Sequence, residues 1–253
     1  MKNSVKLWAQ IIPSPIQGFA KVDKETKVAL PIVIILLLVL AATMLLIPIL
    51  NSEAYTDALL RVQISSMQEK GTELSTEQIE RMSEQLTSGN IKTITLLSSV
   101  VGGVFGFALM LAVSIFILKL ITVIAREKIS LKLILRIMIF ITLISVLQML
   151  VKNFITVFTD YGRILSRVQE TSDLQYALTS PVSLAVLFDP GKIGSSLYYL
   201  IDSFTDIFNW LYYGYLFAAL KSAAGLNTGK ALKITIAAAV IMIAVGLIFT
   251  MAV

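Results

Sequence analysis

The chain has 253 residues, of which 57% are hydrophobic and 15% charged, with a formal charge of +5. Soluble domains run at about 45–50% apolar and about 25% charged, so lipid has to cover the surplus. Cysteine and histidine are both absent, which excludes disulfides, thiol catalysis and thiolate metal sites and removes the usual zinc, copper and haem ligands. No cofactor is expected. No basic stripe is interleaved with stacking aromatics, so the positive charge is read as flanks of membrane helices and not as a nucleic-acid surface.

Residues 1–27 form an amphipathic lead-in segment expected on the cytoplasmic side. Trp8, Ile11, Ile12, Ile16 and Phe19 stand among lysines and are interrupted by Pro13 and Pro15, a pattern that predicts an anchor lying at the headgroups. Seven charged residues precede the first apolar run and no small-residue cleavage site follows it, so the first helix is expected to stay attached. That run, Val28 to Leu50, has 23 residues without a charge, and at about 1.5 Å per residue it crosses a hydrocarbon core of ~30 Å. Pro31 falls in its first turn, where a missing N–H is harmless, and Pro48 predicts a kink or stop near the far end.

Residues 51–90 read as an outer helical insert. Leu60, Ile64 and Met67 mark one amphipathic helix, Gly71 a break, and Ser75-Thr76-Glu77-Gln78 a capping box that starts a second helix with Ile79, Met82 and Leu86 at helical spacing. The bland reading is a hairpin lying on its own membrane domain. The sharper one makes these six apolar residues a partner surface.

Further uncharged runs cover Thr93 to Leu118, Ile137 to Val151 with an extension to Phe158, Ile207 to Leu220, and Ile234 to Val253. The middle two are short and need polar ends, Arg136 and Lys152 for one, Asp202 and Asp206 for the other. Between them, residues 153–196 form a second outer segment. Ile155, Phe158, Leu165 and Val168 suit an amphipathic helix, and VSLAVLF, bracketed by Pro181 and Asp189-Pro190-Gly191, suits an interfacial or re-entrant element. The predicted fold is all-α: a polytopic transmembrane helical bundle of about five spans over residues 28–253, with an extracytoplasmic helical insert.

Charge asymmetry predicts orientation. With five spans and the N-terminus inside, the cytoplasmic segments hold thirteen of the 21 bases but only three of the 16 acids, as the positive-inside rule requires. The expectation is a multi-pass protein of the cell membrane, N-terminus cytoplasmic and C-terminus extracytoplasmic. Lys119 is expected to snorkel to the headgroups.

Two small-residue faces recur at intervals of four, Ser98, Gly102 and Gly106 in the second span and Gly214, Ala218 and Ser222 in the fourth. Close helix packing is their default role and a homodimer contact the alternative. Asp202, Asp206 and Asn209 fall on one helical face at i, i+4 and i+7. Intramembrane carboxylates raise the hypothesis of a cation or proton site. The bland reading places them near the outer interface, solvated or paired with Lys152 or Lys192. Trp210 with Tyr198, Tyr199, Tyr212, Tyr213 and Tyr215 reads as aromatic belt and helix packing. No P-loop, nucleophile elbow, zincin or dinucleotide motif occurs, so an enzyme is not expected and catalytic and metal residues are none.

Several of these features together resemble the Yip1 family, in particular its bacterial branch. They are the W-x2-I-I-x2-P-x3-F pattern from Trp8 to Phe19, the insert sequence STEQIERMSEQ, the stretch Leu200, Asp202, Phe204, Phe208 and Trp210, and AAGLNTGKAL at Ala223 to Leu232. The resemblance implies five spans and a non-enzymatic membrane protein. The acidic D-L-Y-G-P segment of the eukaryotic members is absent, so their GTPase binding is not carried over. Location of some bacterial members beside ABC-type exporters implies such an exporter as partner. Two functions follow as expectations: a scaffold or accessory protein binding other integral membrane proteins, and a small transporter or channel using Asp202, Asp206 and Asn209.

Overall fold

The computed structural model describes residues 4–71, 74–160, 162, 165, 166, 168 and 182–252. Among them it is built of helices, with no strand. Two short helices, α1 (Ser4–Ile11) and α2 (Pro15–Phe19), lead into α3 (Ala29–Met44) and α4 (Ile47–Leu50). The insert consists of α5 (Glu53–Glu69) and α6 (Thr76–Thr87), and long helices α7 (Gly89–Ile124) and α8 (Leu131–Phe158) follow. A 3-10 turn at Leu184–Leu187 precedes α9 (Pro190–Ile193), α10 (Ser195–Thr205), α11 (Ile207–Ser222) and α12 (Thr228–Ala252). The bracketing Pro181 lies outside the described residues.

Four helical stretches are long and apolar enough to cross a membrane: Ala29–Leu50, Leu97–Ile124, Leu131–Phe158 and Thr228–Ile248. Each coincides with an uncharged run of the sequence. The first is interrupted after Met44 and restarts with Pro48 in the first turn of α4, as the missing N–H of proline requires. The span expected at Ile207 to Leu220 is α11, whose 16 residues reach only about 24 Å. Its continuation toward the insert is a separate helix, α10, and the two meet at Asp206, the one non-helical residue between them.

Helix α8 is the hub, packing against α3, α7 and α11. Its Ile134, Ile137, Met138, Phe140 and Ile141 are fully buried. Most of the large apolar side chains on the outer faces of α3, α7 and α12 remain exposed, which is what a bilayer would cover. Basic residues gather at one end of the bundle, where Lys230 pairs with Glu127 at 2.6 Å and Arg136 donates to the Thr26 carbonyl at 2.8 Å. The insert lies at the other.

The lead-in segment packs in part on the bundle. Ile12 and Ile16 are exposed, but Leu7, Trp8, Ile11 and Phe19 are buried in the same core as α8. Trp8 donates its indole N–H to the Phe140 carbonyl at 3.3 Å and meets the Phe140 ring edge-on, and Phe19 does likewise against Tyr215. Gly18 allows this, because a Cβ there would stand 2.6 Å from the Cα of Ile11. The short helices fold back on each other and present one apolar face inward to the bundle. The Lys119 ammonium donates to the Ile129 carbonyl at 2.8 Å and holds the α7–α8 turn.

The insert has its own small core. Ile49, Leu50, Tyr55, Ala58 and Val62 pack with Leu165 and Val168 from beyond α8, and Arg61 donates to the carbonyls of Leu165 (2.6 Å) and Val168 (3.3 Å). The capping box forms as the sequence predicts, Ser75 Oγ accepting from Gln78 N and Gln78 Oε1 from Ser75 N, and Gly71 ends α5 with φ +77°.

Candidate functional site

Among the described residues, buried charge gathers where α8 meets the α10–α11 junction. Lys152 lies sixteen residues, about 24 Å of helix, beyond Arg136, and is 8% exposed. Its ammonium sits 3.1 Å from Asp202 Oδ2 and 2.8 Å from Asp206 Oδ2. Asp206 is fully buried and accepts two further bonds, from Gln148 Nε2 at 2.7 Å and from its own helix at Phe208 N at 2.8 Å. Asp202 accepts from Ser183 Oγ at 2.6 Å, which ties the exposed 3-10 turn of VSLAVLF to α10. One residue along α8, Asn153 donates to the Ala42 carbonyl at 2.8 Å and links the same level to α3.

The bond to Phe208 N explains the broken helix. Asp206 takes extended backbone angles and caps α11 with its carboxylate, the use for which aspartate is favoured over a helix interior. The i, i+4, i+7 spacing of Asp202, Asp206 and Asn209 therefore does not run along one continuous helix face. The two aspartates share Lys152, while Asn209 turns to the Ser203 carbonyl at 3.0 Å.

Asn209 instead borders a half-open cavity of about 290 Å³ lined by α7, α8, α10, α11 and α12. Ser114, Thr142, Ser145 and Gln148 line it with Tyr199, Tyr212 and Tyr213, and among the described residues no charged side chain lines it. Gln148 belongs to both features, because its amide nitrogen holds Asp206. Tyr199 is seated by Gly246: a Cβ on that glycine would overlap the phenol oxygen. The expected aromatic belt is thereby divided. Trp210 is exposed and donates to the Phe204 carbonyl at 2.8 Å, Tyr198 is buried, and three tyrosines face the cavity.

The profile of the Yip1 domain matches residues 9–250. The chain belongs to the Yip1 family. Comparison with curated proteins and with solved structures yields no match. The matched stretch takes in the buried Trp8-to-Phe19 segment's last eleven residues, the insert and every crossing helix, so the lead-in and the bundle are parts of one Yip1 domain.

The small-residue faces of the Yip1 domain divide by position. Gly103 of α7 packs on α3, where an added Cβ would meet Thr43 Oγ1 at 3.0 Å. Gly102, Gly106 and Gly214 have nothing within 4 Å of an added Cβ, and Ser98 and Gly102 are exposed among exposed Val101, Phe105 and Leu109. Ala218 is buried, and Ser222 donates to its carbonyl. In the insert, Leu60, Ile64, Ile79, Met82 and Leu86 are half-buried where α5 and α6 pack together, and Met67 is exposed. Lys152 is one of the two lysines that the sequence offered as partners of the aspartates, whereas Gln148 was not singled out; an amide four residues before that lysine on one helix was the available signal.

Proposed function

We propose that this Yip1 domain is a non-catalytic membrane scaffold or accessory protein that binds other integral membrane proteins, an ABC-type export complex foremost. The observation that carries the reading is the open face of α7. Ser98, Gly102 and Gly106 form a shallow groove in a helix of membrane length, and among the described residues nothing stands within 4 Å of a Cβ added at either glycine. Lipid tails gain little from such a groove, whereas a partner helix gains close backbone approach. Met67 at the exposed tip of the insert adds a contact outside the membrane. The two internal aspartates, Asp202 and Asp206, share the ammonium of Lys152. Five crossings follow if α10 and α11 act together as the fourth, with the N-terminus in the cytoplasm. Labelling of a cysteine placed at Ser75 from outside only is the expected outcome.

Crosslinking in the native membrane, followed by identification of the captured proteins, tests the scaffold directly. Other integral membrane proteins are expected, and recovery of self-crosslinks alone contradicts it. A second reading, a small transporter or channel, draws on the cavity beside Asn209. It requires Asp202→Asn with Asp206→Asn to abolish a measured flux; the scaffold reading expects partner capture to survive that pair of substitutions.

A further inference from the structure

The cavity beside Asn209 has a chemistry of its own, which neither the scaffold nor the transporter reading assigns. Its wall carries hydrogen-bonding oxygens and aromatic faces without a charged side chain. Gln148 directs its amide nitrogen to Asp206 and Asn209 directs its own to Ser203, so the amide oxygens are the acceptors that remain. Tyr212 and Tyr213 stand at 90° with ring centroids 5.3 Å apart, giving two perpendicular aromatic surfaces, and Tyr199 borders the same space. Gln148 holds Asp206, which with Asp202 shares the single ammonium of Lys152, so the formal charge behind the amide is −1, and at the fully buried Asp206 it is screened less than at a surface. Perpendicular aromatic faces, neutral acceptors and a negative background are the recognition elements for an organic ammonium group. The volume of about 290 Å³ is at the lower bound of small-ligand pockets, near 300 Å³.

We propose that this cavity binds a small organic ammonium, either as a free amine or as the headgroup of a lipid. The inference concerns binding and holds whether or not the domain also acts as a scaffold.

The probe is choline, set against its neutral isostere 3,3-dimethylbutanol and against potassium at equal ionic strength, with the full chain reconstituted in phosphatidylglycerol vesicles. Choline is expected to raise the thermal midpoint saturably while the isostere and potassium do not. Asn209→Leu and Tyr213→Leu are each expected to weaken that effect about tenfold. Equal shifts from choline and the isostere, or from choline and potassium, overturn the proposal, and this comparison on the parent protein stands whether or not the variants fold. Repeating it in vesicles containing phosphatidylcholine separates the sources. Loss of the choline shift there identifies the lipid headgroup as occupant, and its persistence identifies a free amine.

Discussion

The face of α7 that carries Gly103 and the face that carries Ser98, Gly102 and Gly106 are made of the same kind of residue, yet only the first is covered. Gly103 lies tightly against Thr43 of α3, which would have to yield to an added Cβ, while an added Cβ at its neighbour Gly102 meets nothing within 4 Å. Behind the covered face the chain is locked by Asn153 on the Ala42 carbonyl and, beyond that, by Lys152 on two aspartates. Small residues at intervals of four thus mark where a helix can be approached closely. Whether the approaching helix belongs to the same chain is decided by the other side chains at that level. Behind the covered face they are polar and reciprocal, linking α8 to α3 and to the α10–α11 junction, whereas on the open face of α7 they are apolar and exposed.

Substitutions on the two faces are expected to separate by sign as well as size. The largest effect is at the lock: Lys152→Met leaves two carboxylates unmatched at membrane depth and is expected to cost about 3–5 kcal/mol in unfolding from lipid–detergent micelles. Adding Asp202→Asn and Asp206→Asn should recover most of that loss, and an unchanged midpoint in the single variant would deny the lock its role. Gly18→Ala and Gly246→Ala come next, at about 1–3 kcal/mol each, because one drives a methyl into the Ile11 backbone and the other into the Tyr199 ring. Tyr199→Leu should relieve the second of these and leave the first untouched. Gly103→Ala is smaller, about 1 kcal/mol, since Thr43 can yield by a few tenths of an ångström. Smallest, and opposite in sign, are Gly102→Ala and Gly106→Ala. Each is expected to raise helix stability by about 0.5–1 kcal/mol, as removing glycine from a helix interior does where space is open. A loss at either position in the purified monomer would mean that the face is covered after all.

Much of the bundle was legible because hydrocarbon imposes a length that uncharged runs report directly. Val28 to Leu50 and the runs inside α7, α8 and α12 fell where crossing helices stand, and Ser75 with Gln78 announced the start of α6. Hydropathy was a poorer guide where two uses of one residue compete. Asp206 reads as a helical neighbour of Asp202 by spacing and as a cap for α11 by residue type, and the cap wins because Lys152 and Gln148 satisfy its carboxylate there. Trp8 and Phe19 carry the composition of an interfacial anchor, but Gly18 folds their two short helices together and turns the apolar face onto α8 and α11. The cavity was not legible at all. Its walls come from five helices far apart in sequence, and no local pattern joins Ser114 to Gln148 and Tyr213.

The central claim, that the open face of α7 receives another membrane protein, is tested most directly by Gly102→Ile with Gly106→Ile compared with the parent by crosslinking in the native membrane. The account predicts that the doubly substituted chain inserts and unfolds like the parent while capture of its membrane partners is lost. Capture at the parent's yield, from a chain whose groove has been filled, would contradict it.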